Sequence, residues 1–127
     1  MEKDLGQYFT EDDTLQEKVF SFIQNNPDRI LEPSVGRGDL VKYVQTKQSY
    51  PFDMYEIDKR VEVLENIVKE NIRYCDFLKE DISQRYNTII GNPPFVKKKQ
   101  GGNLYIDFIQ KCFNLLTENG ELIFIVP

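Results

Sequence analysis

The chain has 127 residues, 40% hydrophobic and 29% charged, with a net charge of −5, which suits one domain with its own core and argues against a surface that binds nucleic acid throughout. It has no histidine and only two cysteines, Cys75 and Cys112, with no CxxC or Cys/His cluster. These features argue against structural zinc or any other metal, remove the commonest general base near neutral pH, and favour a reducing intracellular compartment. No apolar run approaches the roughly 18 residues of a membrane span, and the polar, acidic start MEKDLGQYFTEDDT does not resemble a signal peptide.

Along the chain, Leu15, Val19, Phe22 and Ile23 fall at helical spacing and predict a helix from Thr14 to Asn25, stopped by Pro27. Arg29 to Pro33 reads as a short buried strand, residues 36 to 38 as a turn, and the stretch from Asp39 (DLVKYVQT) as a helix. Phe52 to Ile57 is a second strand, Lys59 to Val68 a helical stretch, Asn71 to Cys75 a third strand and Tyr86 to Ile90 a fourth. Leu104 to Leu116 is a strongly apolar helix ended by Asn119-Gly120, and Glu121 to Val126 is a fifth strand, apolar as a strand covered on both faces should be.

Strands alternating with helices predict an α/β domain with a parallel sheet and right-handed crossovers. Ligands in such sheets sit beyond the carboxyl ends of the strands, at the topological switch point. The notable residues collect there: Glu32 to Gly38, Glu56 and Asp58, Asp76 and Phe77, and Asn92 to Phe95.

In LEPSVGRGDL, Gly36 and Gly38 allow a tight turn and a close backbone approach. A dinucleotide fingerprint wants a third glycine where Val41 stands. Glu56, 20 residues after Gly36, fits the acid that binds a ribose diol. Asp76 can accept from an exocyclic amine and Phe77 can cover a purine; taken alone, the pair reads as a helix cap and a core ring. Glu32 suits a cationic amine better than a pyrophosphate, which tilts the choice from NAD to S-adenosylmethionine.

IIGNPPFVKKKQGG raises a separate question. Pro93 and Pro94 end any pairing, and Asn92 is pushed extended by the proline after it. The result is a stiff corner carrying an amide and the ring of Phe95, followed by Lys97, Lys98 and Lys99. Those lysines read either as a solvated loop or as a local basic edge, and Gly101-Gly102 suggests mobility.

GQYFT at Gly6 to Thr10, LEPSVGRGDL, YEID at Tyr55 to Asp58, CDFL at Cys75 to Leu78, NPPF at Asn92 to Phe95 and GELIFIVP at the end together resemble the N6-adenine DNA methyltransferases. The resemblance implies a Rossmann-like, mostly parallel sheet of order 3-2-1-4-5, lacking the family's two C-terminal strands and its target recognition domain. It implies an S-adenosylmethionine site in which Tyr8 and Thr10 line the methionine end with Glu32, within the loop Glu32, Pro33, Ser34, Gly36 and Gly38. Glu56 would hold the ribose, Ile57 and Phe77 would flank the adenine, and Asp76 would take its amine.

For the reaction, the resemblance implies that the Asn92 side-chain oxygen and the Pro93 carbonyl accept from a target adenine flipped out of duplex DNA. Pro94 would stiffen the corner, Phe95 would stack on the base, and Lys97, Lys98 and Lys99 would lie beside phosphates. The implied setting is the cytoplasm of a bacterium or of a virus-infected cell. The apolar fifth strand would be an open edge, so the chain reads as the N-terminal part of a longer protein or half of a split or dimeric enzyme. Methylation of a protein glutamine or an RNA base, and a catalytically silent subunit of the same fold, are the other readings.

Overall fold

The computed structural model describes residues 12–127. GQYFT, with Tyr8 and Thr10, lies outside the described residues. Asp12 caps the first helix, its carboxylate accepting from the Thr14 and Leu15 amides at 2.8 and 3.4 Å. This helix, α1, covers Asp13–Phe22 and is shorter than its apolar spacing predicts. Gln16 and Val19 are its buried residues, with Phe20 and Ile23 packed partly beneath, a set spaced i, i+3, i+4, i+7. Leu15 and Phe22 of the predicted stripe face outward instead.

β1 (Ile30–Glu32), α2 (Asp39–Lys47), β2 (Phe52–Glu56), β3 (Ile72–Tyr74) and β4 (Tyr86–Gly91) follow the expected order. α3 covers Leu104–Asn114 and β5 covers Leu116–Phe124. The sheet order is β3-β2-β1-β4-β5, and every pairing is parallel. This is the anticipated doubly wound arrangement, with β1 and β4 adjacent at the switch point. Alternation along the strands divides the core between the two faces. Ile30, Met54, Ile72 and Ile90 pack with Val19, Val41 and Val44, whereas Leu31, Tyr55 and Ile89 pack with Phe108 and Cys112.

Two segments depart from the sequence reading. Residues 59 to 68 do not form a helix. Their amides turn elsewhere: Leu64 N donates to the Arg37 carbonyl at 2.8 Å, and Asn66 takes a φ of 74°. Val61 and Ile67 are buried there while Val68 is exposed, and Ile67 packs against Gly38 of the glycine loop rather than along a helix face.

The second departure is at β5. The helix ends before Leu115, and the strand begins at Leu116 rather than Glu121. Leu116 pairs with Tyr86 and Glu121 with Thr88, so Asn119-Gly120 belongs to a bulge inside the strand and not to a helix cap. Glu121 then fixes the register, accepting from Thr88 Oγ1 at 2.8 Å and from the Gln24 and Asn25 amides at 3.0 and 3.1 Å. Among the described residues β5 pairs with β4 alone and is an edge of the sheet, while its faces are both partly covered: Leu122 and Phe124 pack against one core cluster and Ile123 against the other. Among the described residues, no helix is long and apolar enough to cross a membrane.

Candidate functional site

The loops after β1, β2, β3 and β4 open on one edge of the sheet. The loop after β1 begins with Glu32, 2% exposed, and the fully buried Pro33. Glu32 Oε1 accepts from Ser34 N at 2.9 Å. Burial pushes the Glu32 carboxyl up to about 8; the Ser34 amide holds it down, and the charge of Glu56 adds to the rise. A carboxylate kept in such a place is suited to a cationic partner.

Ser34 also reaches the next strand, its hydroxyl donating to the Asn92 carbonyl at 3.4 Å. Gly91 explains how β4 comes so close. A Cβ there would lie 3.1 Å from Glu32 Oε1 and 3.1 Å from the Phe124 ring. The glycine loop and the Asn-Pro-Pro corner are therefore in direct contact.

Glu56, 4% exposed, ends β2 and braces the same loop. Its Oε1 accepts from Gly36 N at 2.8 Å and its Oε2 from Asp58 N at 3.1 Å. Each carboxylate oxygen has a second lone pair, so further donors can be accepted. Gly36 and Gly38 both have positive φ, at 59° and 93°. A Cβ on Gly38 would meet Ile67 Cγ1 at 2.6 Å, so the structural demand on Gly38 comes from packing as much as from any ligand. Ile57, next to Glu56, is 54% exposed, an apolar side chain presented at the site's rim.

After β3, Asp76 caps a 3-10 turn over Phe77–Lys79, its Oδ1 accepting from Leu78 N at 3.1 Å. Phe77 does not line the surface. It is 2% exposed, stacked on Phe108 at 5.6 Å and edge-on to Tyr55 at 5.3 Å. The pair is thus a cap and a core ring, with Asp76 partly exposed.

After β4, Pro93 is fully buried and Asn92, Pro94 and Phe95 are partly exposed. The Asn92 Oδ1 atom is buried. Phe95 meets Tyr105 of α3 edge-on, with centroids 5.8 Å apart. The lysine segment is a closed hairpin. Leu104 N donates to the Val96 carbonyl at 2.7 Å, Lys98 N to the Gly102 carbonyl at 3.0 Å, and Lys97 bridges Asn103. Gly101 and Gly102 take positive φ, 93° and 83°, in its turn. Lys98 pairs with Asp107 at 2.8 Å, while Lys97 and Lys99 are exposed.

The structure brings Glu32, Pro33, Ser34, Gly36, Glu56, Ile57, Asp76 and Asn92 to Phe95 to one edge, and sets Phe77 beneath it. Sequence reasoning missed Gly91, Tyr105 and Lys111. A glycine within an apolar strand and single residues on an amphipathic helix carry no periodic signal. Among the described residues, no group of three or more His, Cys, Asp or Glu could hold a metal ion.

Comparison with known proteins places this geometry. The Eco57I restriction-modification methylase model matches residues 7–127. The modification methylase CviBIII of Paramecium bursaria Chlorella virus NC1A is 32% identical, over 96% of this chain and 37% of that protein. The ribosomal RNA small subunit methyltransferase A of Mycoplasma genitalium is also 32% identical, over 90% of this chain and 47% of its own length. The chain thus spans between a third and a half of these relatives. In fold it is similar to the type I restriction-modification methyltransferase subunit from Streptococcus thermophilus, with a TM-score of 0.66 and 14% identity over 89% of this chain and 32% of that one. A class I S-adenosylmethionine-dependent methyltransferase from Listeria monocytogenes gives 0.59 and 16%, over 90% of this chain and 43% of that one. The chain belongs to the Eco57I restriction-modification methylase family, whose cofactor is S-adenosylmethionine.

Proposed function

We propose that the chain is the catalytic core of an enzyme that methylates the N6 amino group of adenine in DNA. The observation that carries this reading is the contact between the two halves of the edge. Ser34 bonds both Glu32 and the Asn92 carbonyl, so the residues suited to the cofactor's cationic end adjoin the corner suited to the target amine.

The residues fit the cofactor chemically. Glu32, buried and held protonated up to about pH 8, gains most from an ammonium group. Glu56 accepts ribose hydroxyls while keeping the Gly36 amide, Ile57 covers one adenine face, and Asp76 takes the adenine amine over the packed ring of Phe77. Pro33, Ser34, Gly36 and Gly38 form the loop around the methionine end. Tyr8 and Thr10 belong to the same proposal by family resemblance.

S-adenosylmethionine supplies a methyl group already activated on a sulfonium, so no strong base is required and the absence of histidine is no obstacle. Adenine N6 is a poor nucleophile because its lone pair is delocalised into the ring. Asn92 Oδ1 and the Pro93 carbonyl would accept from its two N–H groups and localise that lone pair, with Pro94 fixing their spacing. Because Oδ1 is buried, engagement requires the amide to turn about its side-chain bonds. Phe95, backed by Tyr105, stacks on a flipped base, and Lys97 to Lys99 lie toward phosphate.

A second reading, methylation of an RNA base, is favoured by the likeness to the ribosomal RNA methyltransferase. One experiment separates the two. The chain is incubated with methyl-labelled S-adenosylmethionine and either a long mixed-sequence DNA duplex or a ribosomal RNA transcript, and the nucleosides are identified by mass spectrometry. N6-methyldeoxyadenosine supports the proposal. Label in RNA alone replaces it with the second reading. A chain that binds the cofactor and labels neither would count against its catalytic part.

A further inference from the structure

Lys111 stands in the last turn of α3, yet its charge is spent on the loop after β3. Its ammonium donates to the carbonyls of Phe77 and, at 2.5 Å, Glu80. It also lies 4.8 Å from the centroid of the Phe77 ring. Phe77 and Glu80 bracket the 3-10 turn that Asp76 caps.

A three-residue 3-10 turn has little of its own to hold it. Its internal bonds are Lys79 N to the Asp76 carbonyl at 2.9 Å and Glu80 N to the Phe77 carbonyl at 3.2 Å. Two charge-assisted bonds from one ammonium exceed these in strength and tie both ends of the turn to α3. Stacking of Phe77 on Phe108 fixes the ring but leaves the backbone rotation open, and Lys111 is the group that sets it.

The Asp76 carboxylate depends on that rotation. Its Oδ1 is held by Leu78 N inside the turn, and among the described residues its other oxygen takes no hydrogen bond. We infer that Lys111 is a positioning residue for the cofactor site. By tethering the Phe77–Glu80 backbone it aims the second oxygen of Asp76, so that adenine is told from a base lacking the amine. The inference rests on the assignment of Asp76 to the cofactor amine.

The test uses two probes, S-adenosylhomocysteine and its inosine counterpart, in which an oxo group replaces the amine. Calorimetry gives the affinity ratio for the wild-type chain, Lys111→Met, Asp76→Asn and the double variant. Methionine keeps an unbranched side chain one atom shorter and removes its donors. The wild type is expected to prefer the adenine probe by about tenfold, roughly one hydrogen bond to a charged group.

Lys111→Met should lose most of that preference, Asp76→Asn should lose it as well, and the double variant should lose no more than either. A preference retained in a folded Lys111→Met variant, or an equal fall in both affinities, overturns the inference while leaving the cofactor site standing. A wild type that binds both probes alike, or neither, overturns the Asp76 assignment and the inference with it. Should Lys111→Met not fold, Lys111→Gln, which keeps one amide donor, takes its place and is expected to show an intermediate ratio; an unchanged ratio again overturns the inference.

Discussion

Around β1 and β2, the carboxylates of the candidate cofactor site are bonded to the backbone. Glu32 holds the Ser34 amide, and Glu56 holds the amides of Gly36 and Asp58. Beyond β4 the pattern reverses: Phe95 is half-exposed, two of three lysines are solvated, and the hairpin closes on its own backbone bonds. The first region is held by the fold's own backbone bonds and the second is open to solvent, as the proposed DNA contact requires. Substitutions in the first should change cofactor affinity and stability together. Substitutions in the second should change transfer or substrate binding and leave the cofactor alone.

The corner between them tests that division most sharply. Asn92→Ala removes the proposed side-chain acceptor of the target amine and spares the bond from Ser34, which goes to the Asn92 main-chain carbonyl. Transfer should fall by about 10²–10³-fold, the usual effect of deleting one such group. Affinity for S-adenosylmethionine should be unchanged. Single-turnover transfer beside calorimetry decides it, and an equal loss of both would move Asn92 into the cofactor half.

Glu32 gives the next effect, through pH. Its carboxyl rises from 4.5 to about 8 in the folded chain. Between those values the folded chain keeps a proton that the unfolded chain releases. Stability therefore falls as pH rises through that window and levels off above it. Each unit of such a rise corresponds to ~1.4 kcal/mol, so the fall amounts to a few kcal/mol. A bound ammonium reverses the preference, so cofactor binding near pH 7 should release a proton and strengthen as pH rises. Glu32→Gln should flatten the stability profile and abolish the proton release. Denaturation from pH 4 to 9 and calorimetry in buffers of different ionisation enthalpy read these, and a wild-type profile that is already flat would remove the buried carboxyl from the account.

Much of this was legible before the fold was in hand, for identifiable reasons. β1 to β4 are short apolar runs set off by Pro27, Pro33, Pro51 and Pro93 or by glycines, and such punctuation survives without tertiary context. The carboxylates of Glu32 and Glu56 stand out because acids rarely end apolar strands. Residues 59 to 68 misled because Val61, Leu64 and Val68 recur at helical spacing, while the Leu64 amide is drawn to the Arg37 carbonyl in the glycine loop and the Val61 amide to the Asp58 carbonyl. The same limit applies to β5. Asn-Gly stops a helix or opens a bulge with equal ease, and pairing with Tyr86 and Thr88 selects the bulge. Phe77 and Lys111 depend on which side of the sheet α3 covers, which local pattern does not encode.

Glu56→Ala comes third. The Gly36 and Asp58 amides would lose their acceptor as well as the ribose, so affinity should fall by about 1–3 kcal/mol. Hydrogen exchange at both amides should rise in the cofactor-free chain. An unchanged affinity would detach Glu56 from the cofactor, and an unchanged exchange rate would mean that the loop does not rely on it.

The smallest effects belong to the lysine hairpin, and there the three neighbours should differ. Lys97 and Lys99 are exposed, so each is free to meet a phosphate; Lys98 is committed to Asp107. Removing a lysine that neutralises one phosphate lowers the slope of log affinity against log salt by about 0.9. Lys97→Ala and Lys99→Ala should each lower the slope for DNA by that amount without altering cofactor affinity. Lys98→Ala should lower it less, because its ion pair competes for the same ammonium. Equal slopes for all three variants would show that the ion pair opens on binding. No change in any would take the hairpin out of the interface and return its lysines to an ordinary solvated turn.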